Sequence, residues 1–283
     1  MFSLLLLASS LVFTPEQATN AYKTAEAFVN ECTPRDAGTI RGREAANWIL
    51  DRTSALGVNI RQAAFRADTP EGEKRFTNLY AEFCSDPTSR WVVVVSHFDT
   101  KAGSGSPGAN DGASTTALLM ALAEAVDDWR ERHGNLMLVW TDSEECLKGN
   151  YSEGDGLQGA RQAVEYLRQK ERAIQAVIVV DMLGDADLHI TIPSNSNPVL
   201  AKITKIAAKR IGEEGLVSLG SESVKDDHVP FIEGGYKAVD LIDFNYGPGN
   251  RYWHTAEDTM DKLSVESFYR SGRLITEMIN ILL

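Results

Sequence analysis

Cysteine is scarce in this chain of 283 residues: there are three, Cys32, Cys84 and Cys146. A disulfide-rich scaffold and a thiolate zinc finger both need at least four thiol or imidazole ligands at short spacings, so both are excluded. One disulfide with one thiol left over is the most the chain can form. Positive charge is also short: 28 Lys and Arg stand against 40 Asp and Glu, a net charge of −12. That balance excludes a non-specific nucleic-acid binder, whose basic stripe would neutralise phosphates, and argues against attraction to an anionic membrane surface. Repeats, low-complexity tracts and Pro/Gly/Ser linkers are absent as well, so nothing divides the chain.

What is present is ordinary globular composition, 43% hydrophobic and 24% charged, enough for one large α/β domain or at most two small ones. The apolar run at residues 2–13 is too short to span a bilayer but has the length of a signal-peptide core, with small residues at 18–21 for cleavage. The expectation is an exported chain, with 1–21 as signal peptide and 22–283 as a single domain that keeps no membrane span after processing. No Lys or Arg precedes Lys23, a departure from the usual charged leader, and a buried N-terminal helix or strand is the alternative.

Periodicity supplies the architecture. Helical spacing of Ala45, Ala46, Ile49, Leu50 and Leu56 predicts a helix over 39–57, stopped at Gly57. The run "WVVVVSH" (91–97) predicts a strand buried on both faces. A helix over 114–129 is expected to start at a Ser114 cap. Further strands are expected at 136–140, 176–182, 188–192 and 238–244, and helices at 157–170, 198–212 and from about 264. Alternating strands and helices predict an α/β fold: one mixed, mostly parallel sheet covered by helices on both faces. Ligands of such sheets bind beyond the carboxyl ends of the strands.

Those ends carry the chemistry. His97 and Asp99 are two apart and point the same way in extended chain, so Asp99 is placed to fix the tautomer of a ligating imidazole; a core histidine beside a carboxylate reads equally from the pair alone. The loop "GSGSPGANDGAS" (103–114) delivers Asp111 to a helix entrance, but lacks the Gly-Lys-Ser/Thr ending of a phosphate loop, and Asp111 by itself could be a turn residue. Glu144 and Glu145 are adjacent and cannot face one point, so one can bind a cation while the other stays free as a general base; a solvated loop is the alternative. Asp181 closes a run of β-branched residues, where a carboxylate is hard to bury without a partner. His254 lies in a late aromatic loop. His228, His133 and His189 read as structural, and Cys146 as a small buried residue rather than a nucleophile. Together this is a hard, mixed His/carboxylate set that suits Zn²⁺ and leaves positions open for water or substrate.

The motifs "HFD", "GANDGAS", "SEE", "VDM" and "WHT", in this order, resemble the zinc exopeptidase family that contains bacterial aminopeptidases and the animal-type glutaminyl cyclases. The resemblance covers nearly everything after about residue 30, including "TPRDAGT" (33–39). It implies metal ligands at His97, Asp111, Glu145, Asp181 and His254, with Asp111 bridging where two ions bind. It also implies Asp99 as the orienting partner of His97 and Glu144 as general acid/base. In the cyclases one zinc is held at the positions of Asp111, Glu145 and His254, and the position of Asp181 binds the substrate amine or joins a hydrogen-bond network.

Within the family, Asp226-Asp227-His228, Trp253-His254 and "SEGDGLQGAR" (152–161) are similar to the cyclases, whereas aminopeptidases usually read Ser-Asp-His and Tyr-His at the first two. The Trp that cyclases carry shortly after the Glu pair is missing, with Asn150 and Tyr151 there instead. The resemblance implies an enzyme acting on free peptide N-termini: a glutaminyl-peptide cyclotransferase, or alternatively an aminopeptidase using a metal-bound water. In the first, Trp253 would wall the pocket and Asp226 would join the proton-handling groups around Glu144. A catalytically dead binding domain on the same fold would have lost ligands or Glu144, and both are kept.

Overall fold

The computed structural model describes residues 10–129, 134–149, 151–152 and 154–283. Eight strands form one mixed sheet: β1 (Ile60–Thr69), β2 (Gly72–Phe83), β3 (Trp91–His97), β4 (Asn135–Thr141), β5 (Ile174–Asp181), β6 (Ile190–Ile192), β7 (Val217–Leu219) and β8 (Ala238–Ile242). Their order is β1-β2-β4-β3-β5-β8-β6-β7. The four central strands β4, β3, β5 and β8 run parallel, β2 joins β4 antiparallel, and β6 meets β8 antiparallel. Seven helices cover it among the described residues: α1 (Pro15–Cys32), α2 (Ile40–Ala55), α3 (Thr115–Asp128), α4 (Gln158–Gln169), α5 (Pro198–Arg210), α6 (His228–Glu233) and α7 (Val265–Leu282).

The pleat explains why β3 is apolar from Trp91 to Val95. Val92 and Val94 enter the larger core, with α1, α3, α5 and α7, while Val93 and Val95 enter a second core under α4 and α6. Successive side chains serve opposite layers, so no position can be polar without being dry. The expected α/β sandwich is therefore the observed one.

Some boundaries shift. Ser114 does not cap α3: its backbone is already helical, and its hydroxyl donates to Asn110 O at 2.6 Å, because a wide helical turn over Ala109–Ser114 runs straight into the helix. The strand expected at 188–192 shortens to Ile190–Ile192, and that at 238–244 ends at Ile242. All three cysteines are free.

Residues 2–9 of the apolar run, like His133 and Asn150, lie outside the described residues. Leu11 and Phe13 are buried, and Leu11 exchanges two 2.9 Å hydrogen bonds with the Asn280 side chain on α7. Ala18 and Ala21, in the segment read as a cleavage site, are on the buried face of α1. No described helix is long and apolar enough to cross a membrane.

Candidate active site

The parallel strands deliver their carboxyl ends to one edge. β3 ends at His97, β5 at Asp181, and β4 runs on through Asp142 and Ser143 to Glu144 and Glu145. Asp111 arrives on the turn before α3 and His254 on the loop after β8. His97 Nε2 lies 3.1 Å from Asp181 Oδ1 and 3.2 Å from Asp111 Oδ1. His254 Nε2 lies 3.2 Å from Asp111 Oδ2 and 2.6 Å from Glu145 Oε1. Asp111 thus faces one histidine with each oxygen, and two three-residue donor sets, His97/Asp111/Asp181 and Asp111/Glu145/His254, share it.

Several residues build this geometry. Gly112 has φ +88°, and a Cβ there would stand 2.8 Å from His97 Cε1 and His97 O, so only glycine lets the turn pass the imidazole. Asp258 accepts from Asn110 N at 2.7 Å, Asp111 N at 3.3 Å and Tyr246 Oη at 2.8 Å. Arg35, fully buried, donates to Phe98 O, Pro107 O, Gly108 O and Asp111 O. Arg35 and Asp258 were not singled out from sequence. The "TPRDAGT" segment held Arg35, and a lone arginine gives no periodic sign of being buried.

Asp99 takes a wider part than expected. Its two oxygens accept the Glu144 and Glu145 backbone N–H groups, each at 3.1 Å, and only its 3.5 Å approach to Nδ1 touches His97. Asp99 therefore ties the Glu pair to β3 more firmly than it orients the imidazole.

The two glutamates diverge as adjacency requires. Glu145 turns to His254 and Lys101, whose Nζ is 3.6 Å from Oε2. Glu144 is paired with neither histidine and accepts from the Tyr151 hydroxyl. Burial, then the negative charges of Glu145 and Asp226, push the Glu144 carboxyl well above its usual range. Burial and Asp111 push Glu145 up to about 7. Burial opposes protonation of His254, but its bonds to Asp111 and Glu145 outweigh this and raise it to about 9.

Behind Glu144 lies a second acidic group. Asp227 accepts from Thr141 Oγ1 at 2.5 Å, and Asp226, His228 and Asp240 come together fully buried. Burial drives His228 down to about 4, so it is a neutral imidazole. His228 packs fully buried with Asp240 Oδ2 3.6 Å from its Nδ1, and neither ring nitrogen has a hydrogen-bond partner among the described residues. His189, expected inside a strand, lies exposed just ahead of β6, with its Nε2 2.9 Å from Ser218 Oγ.

A cavity of about 470 Å³ opens over these groups, lined among others by Asp111, Glu144, Asp181, Asp226, Tyr151 and Trp253. Trp253 stacks on His254 at 3.9 Å between ring centroids, and Phe244 meets its edge at 5.0 Å. Tyr151 stands in the wall after the Glu pair, where the sequence lacks tryptophan. Buried convergent carboxylates, an acid/base candidate free of the histidines and an aromatic wall can bind a cation and move protons on a small substrate.

The chain is similar to several known proteins. A glutaminyl-peptide cyclotransferase-like protein of Bos taurus is 27% identical over 274 residues, covering 86% of this chain and 70% of its own. The aminopeptidase YwaD of Bacillus subtilis is 28% identical over 200 residues, 66% of this chain and 40% of its own. The crystal structure of an Acidobacteriales bacterium glutaminyl cyclase superposes with a TM-score of 0.88 at 30% identity, covering 100% of this chain and 98% of that one. The profile of peptidase family M28 matches residues 78–279, and the chain belongs to that family, an enzyme family with both aminopeptidases and glutaminyl cyclotransferases among its relatives.

Proposed function

We propose that the protein is a zinc-dependent glutaminyl-peptide cyclotransferase, converting an N-terminal Gln to pyroglutamate with release of ammonia. The observation that carries this reading over its relatives' other activity is the match along the whole chain, at 30% identity, to a bacterial glutaminyl cyclase. Zinc fits the donor set. Each histidine Nε2 has two carboxylate oxygens converging on it, although an imidazole nitrogen offers one proton or one lone pair; a shared cation relieves both clusters. Asp111, Glu145 and His254 would hold the ion, with His97 and Asp181 completing a second position. Bound there, zinc supplies Lewis acidity toward the γ-carboxamide carbonyl.

The chain's own residues do the rest. Asp181 and Asp226 hold the α-amine, and Trp253 walls the Gln side chain against solvent. Glu144 takes a proton from the α-amine as its nitrogen bonds to the side-chain carbonyl carbon, and returns it to the amide nitrogen as the C–N bond breaks and ammonia leaves. The nucleophile is tethered to the electrophile, so positioning supplies much of the rate. Asp226, raised by burial and by Asp181, shares the proton load beside Glu144.

One observation favours aminopeptidase chemistry: both donor sets are complete, as a two-ion site requires. A single experiment separates the two. Zinc-loaded protein is incubated with one peptide beginning in Gln and one beginning in Leu, and masses are followed. Loss of one ammonia from the first supports cyclisation, and free Leu from the second as the dominant product overturns it. We further propose export, checked by the N-terminal mass of protein recovered from periplasm or medium; intact protein confined to the cytosol would overturn it.

A further inference from the structure

Five carboxylates line the pocket, yet two lysines stand with them, Lys101 and Lys225. Both lysines line the same cavity, together with Cys146 and Tyr151. Lys101 is committed, 3.6 Å from Glu145 with its side chain 13% exposed. Lys225 is exposed and makes no ion pair with the described residues; its Nζ rests 5.1 Å from the centre of the Tyr151 ring. The hydroxyl of that same ring bonds Glu144. Lys225 therefore sits about one aromatic ring outward from the acid/base carboxylate. An extended peptide advances about 3.5 Å per residue, so with its first residue against Glu144 the side chain of its second reaches this rim. In a chain of net charge −12, an acidic peptide would otherwise meet repulsion there.

We propose that Lys225, backed by Lys101, forms a subsite for a carboxylate on the second residue of the substrate, favouring chains that begin Gln-Glu or Gln-Asp over Gln-Lys. The first-residue assignment rests on the cyclase reading; the subsite does not.

The test uses C-terminally amidated tripeptides Gln-Glu-Ala and Gln-Lys-Ala, so that no terminal carboxylate competes. Ammonia release gives kcat/KM for the zinc-loaded enzyme, and calorimetry gives peptide affinity for the Glu144→Gln enzyme, which does not depend on turnover. The Glu peptide is expected to be preferred by about three- to tenfold at low salt, with the ratio shrinking in about 0.5 M NaCl. Lys225→Met should bring the ratio near one and Lys225→Glu should invert it. Equal affinities, a ratio unmoved by Lys225→Met, or a preference seen only with free-acid peptides overturns the subsite. No ammonia from either peptide overturns the cyclase reading, while the binding ratio still decides the subsite.

Discussion

Replacing Arg35 by Met tests how the site is held. The guanidinium is fully buried and donates to Phe98 O at 2.5 Å, Pro107 O at 2.8 Å, Gly108 O at 2.6 Å and Asp111 O at 3.3 Å. Phe98 follows His97, and Gly108 leads into the turn that carries Asp111, so one side chain clamps both donor-bearing segments. Met preserves much of the stem but removes the guanidinium that lies 4.9 Å from the Phe28 ring centre, and it takes a donor from four carbonyls, of which Pro107 O keeps Thr33 Oγ1 and Gly108 O keeps Ala113 N. A buried acceptor stripped of its partner costs about 1–3 kcal/mol, and removing the buried cation recovers part of that through relieved desolvation. With two carbonyls losing their donor and two losing one of two, the net cost is on the order of 2–4 kcal/mol, a large share of the roughly 5–15 kcal/mol that stabilises a domain. The guanidinium-chloride midpoint should fall by something on the order of 0.5–1 M, and zinc affinity by about tenfold or more, because the carbonyls that position His97 and Asp111 are released. Arg35→Lys should recover only part, since one ammonium cannot reach four acceptors in a fork. Unfolding within about 1 kcal/mol of wild type, with unchanged zinc affinity, would refute the clamp.

Glu144→Gln should keep its zinc and lose nearly all turnover; activity within a few-fold of wild type would remove Glu144 from the acid/base role. His254→Ala should lose metal and activity together, and full zinc content by elemental analysis would exclude it as a ligand. Away from the donor sets, burial pushes Asp243 up to about 6 from 3.8. Its neutral form is thus favoured in the fold, a stabilising contribution present below pH 3.8 and lost as pH rises through 6. Asp243→Asn, neutral throughout, should therefore lose most against wild type near pH 4 and least near pH 7. The swing is at most about 3 kcal/mol, read from urea unfolding at both values; a difference that stays flat would show that Asp243 keeps its ordinary acidity.

The sheet was legible because its central strands are dry on both faces: apolar runs at 91–95, 136–140 and 176–180 mark β3, β4 and β5, β8 is interrupted only by the buried Asp240, and the site follows from where those runs stop. The hairpin β1–β2 was not, since one face is solvated and its Arg61, Arg66, Lys74 and Arg75 interrupt any apolar run. Helix α1 escaped because its buried stripe is Ala18, Ala21, Ala25 and Phe28, mostly alanines that carry little hydrophobic signal and follow directly on a run that reads as an export signal. The ligand candidates were recognisable as strand-end residues, but their supports were not. Arg35 and Asp258 act through backbone groups of other segments, and nothing local in the sequence records a partner 76 or 147 residues away.

Three non-glycine residues at the site have left-handed backbone: Ser143 (φ 59°), Met182 (φ 55°) and His254 (φ 56°). Such conformations cost on the order of 1–3 kcal/mol each and persist where surrounding structure dictates them. Their places are informative: immediately before Glu144, immediately after Asp181, and at a histidine of the second donor set. A strand that simply continued would send successive side chains to opposite faces. The left-handed step at Ser143 breaks that alternation just past the end of β4, ahead of the Glu pair, and that at Met182 turns the chain away directly after Asp181, so Glu145 faces His254 while Asp181 faces His97. The strain and the crowding of negative charge therefore fall on the same short segments. The apolar sheet stabilises a conformation these segments would not hold alone, and a cation drawn between the carboxylates relieves the repulsion without relaxing the backbone. On this account the site is preorganised by the fold, and the proposed zinc would contribute charge compensation more than shape.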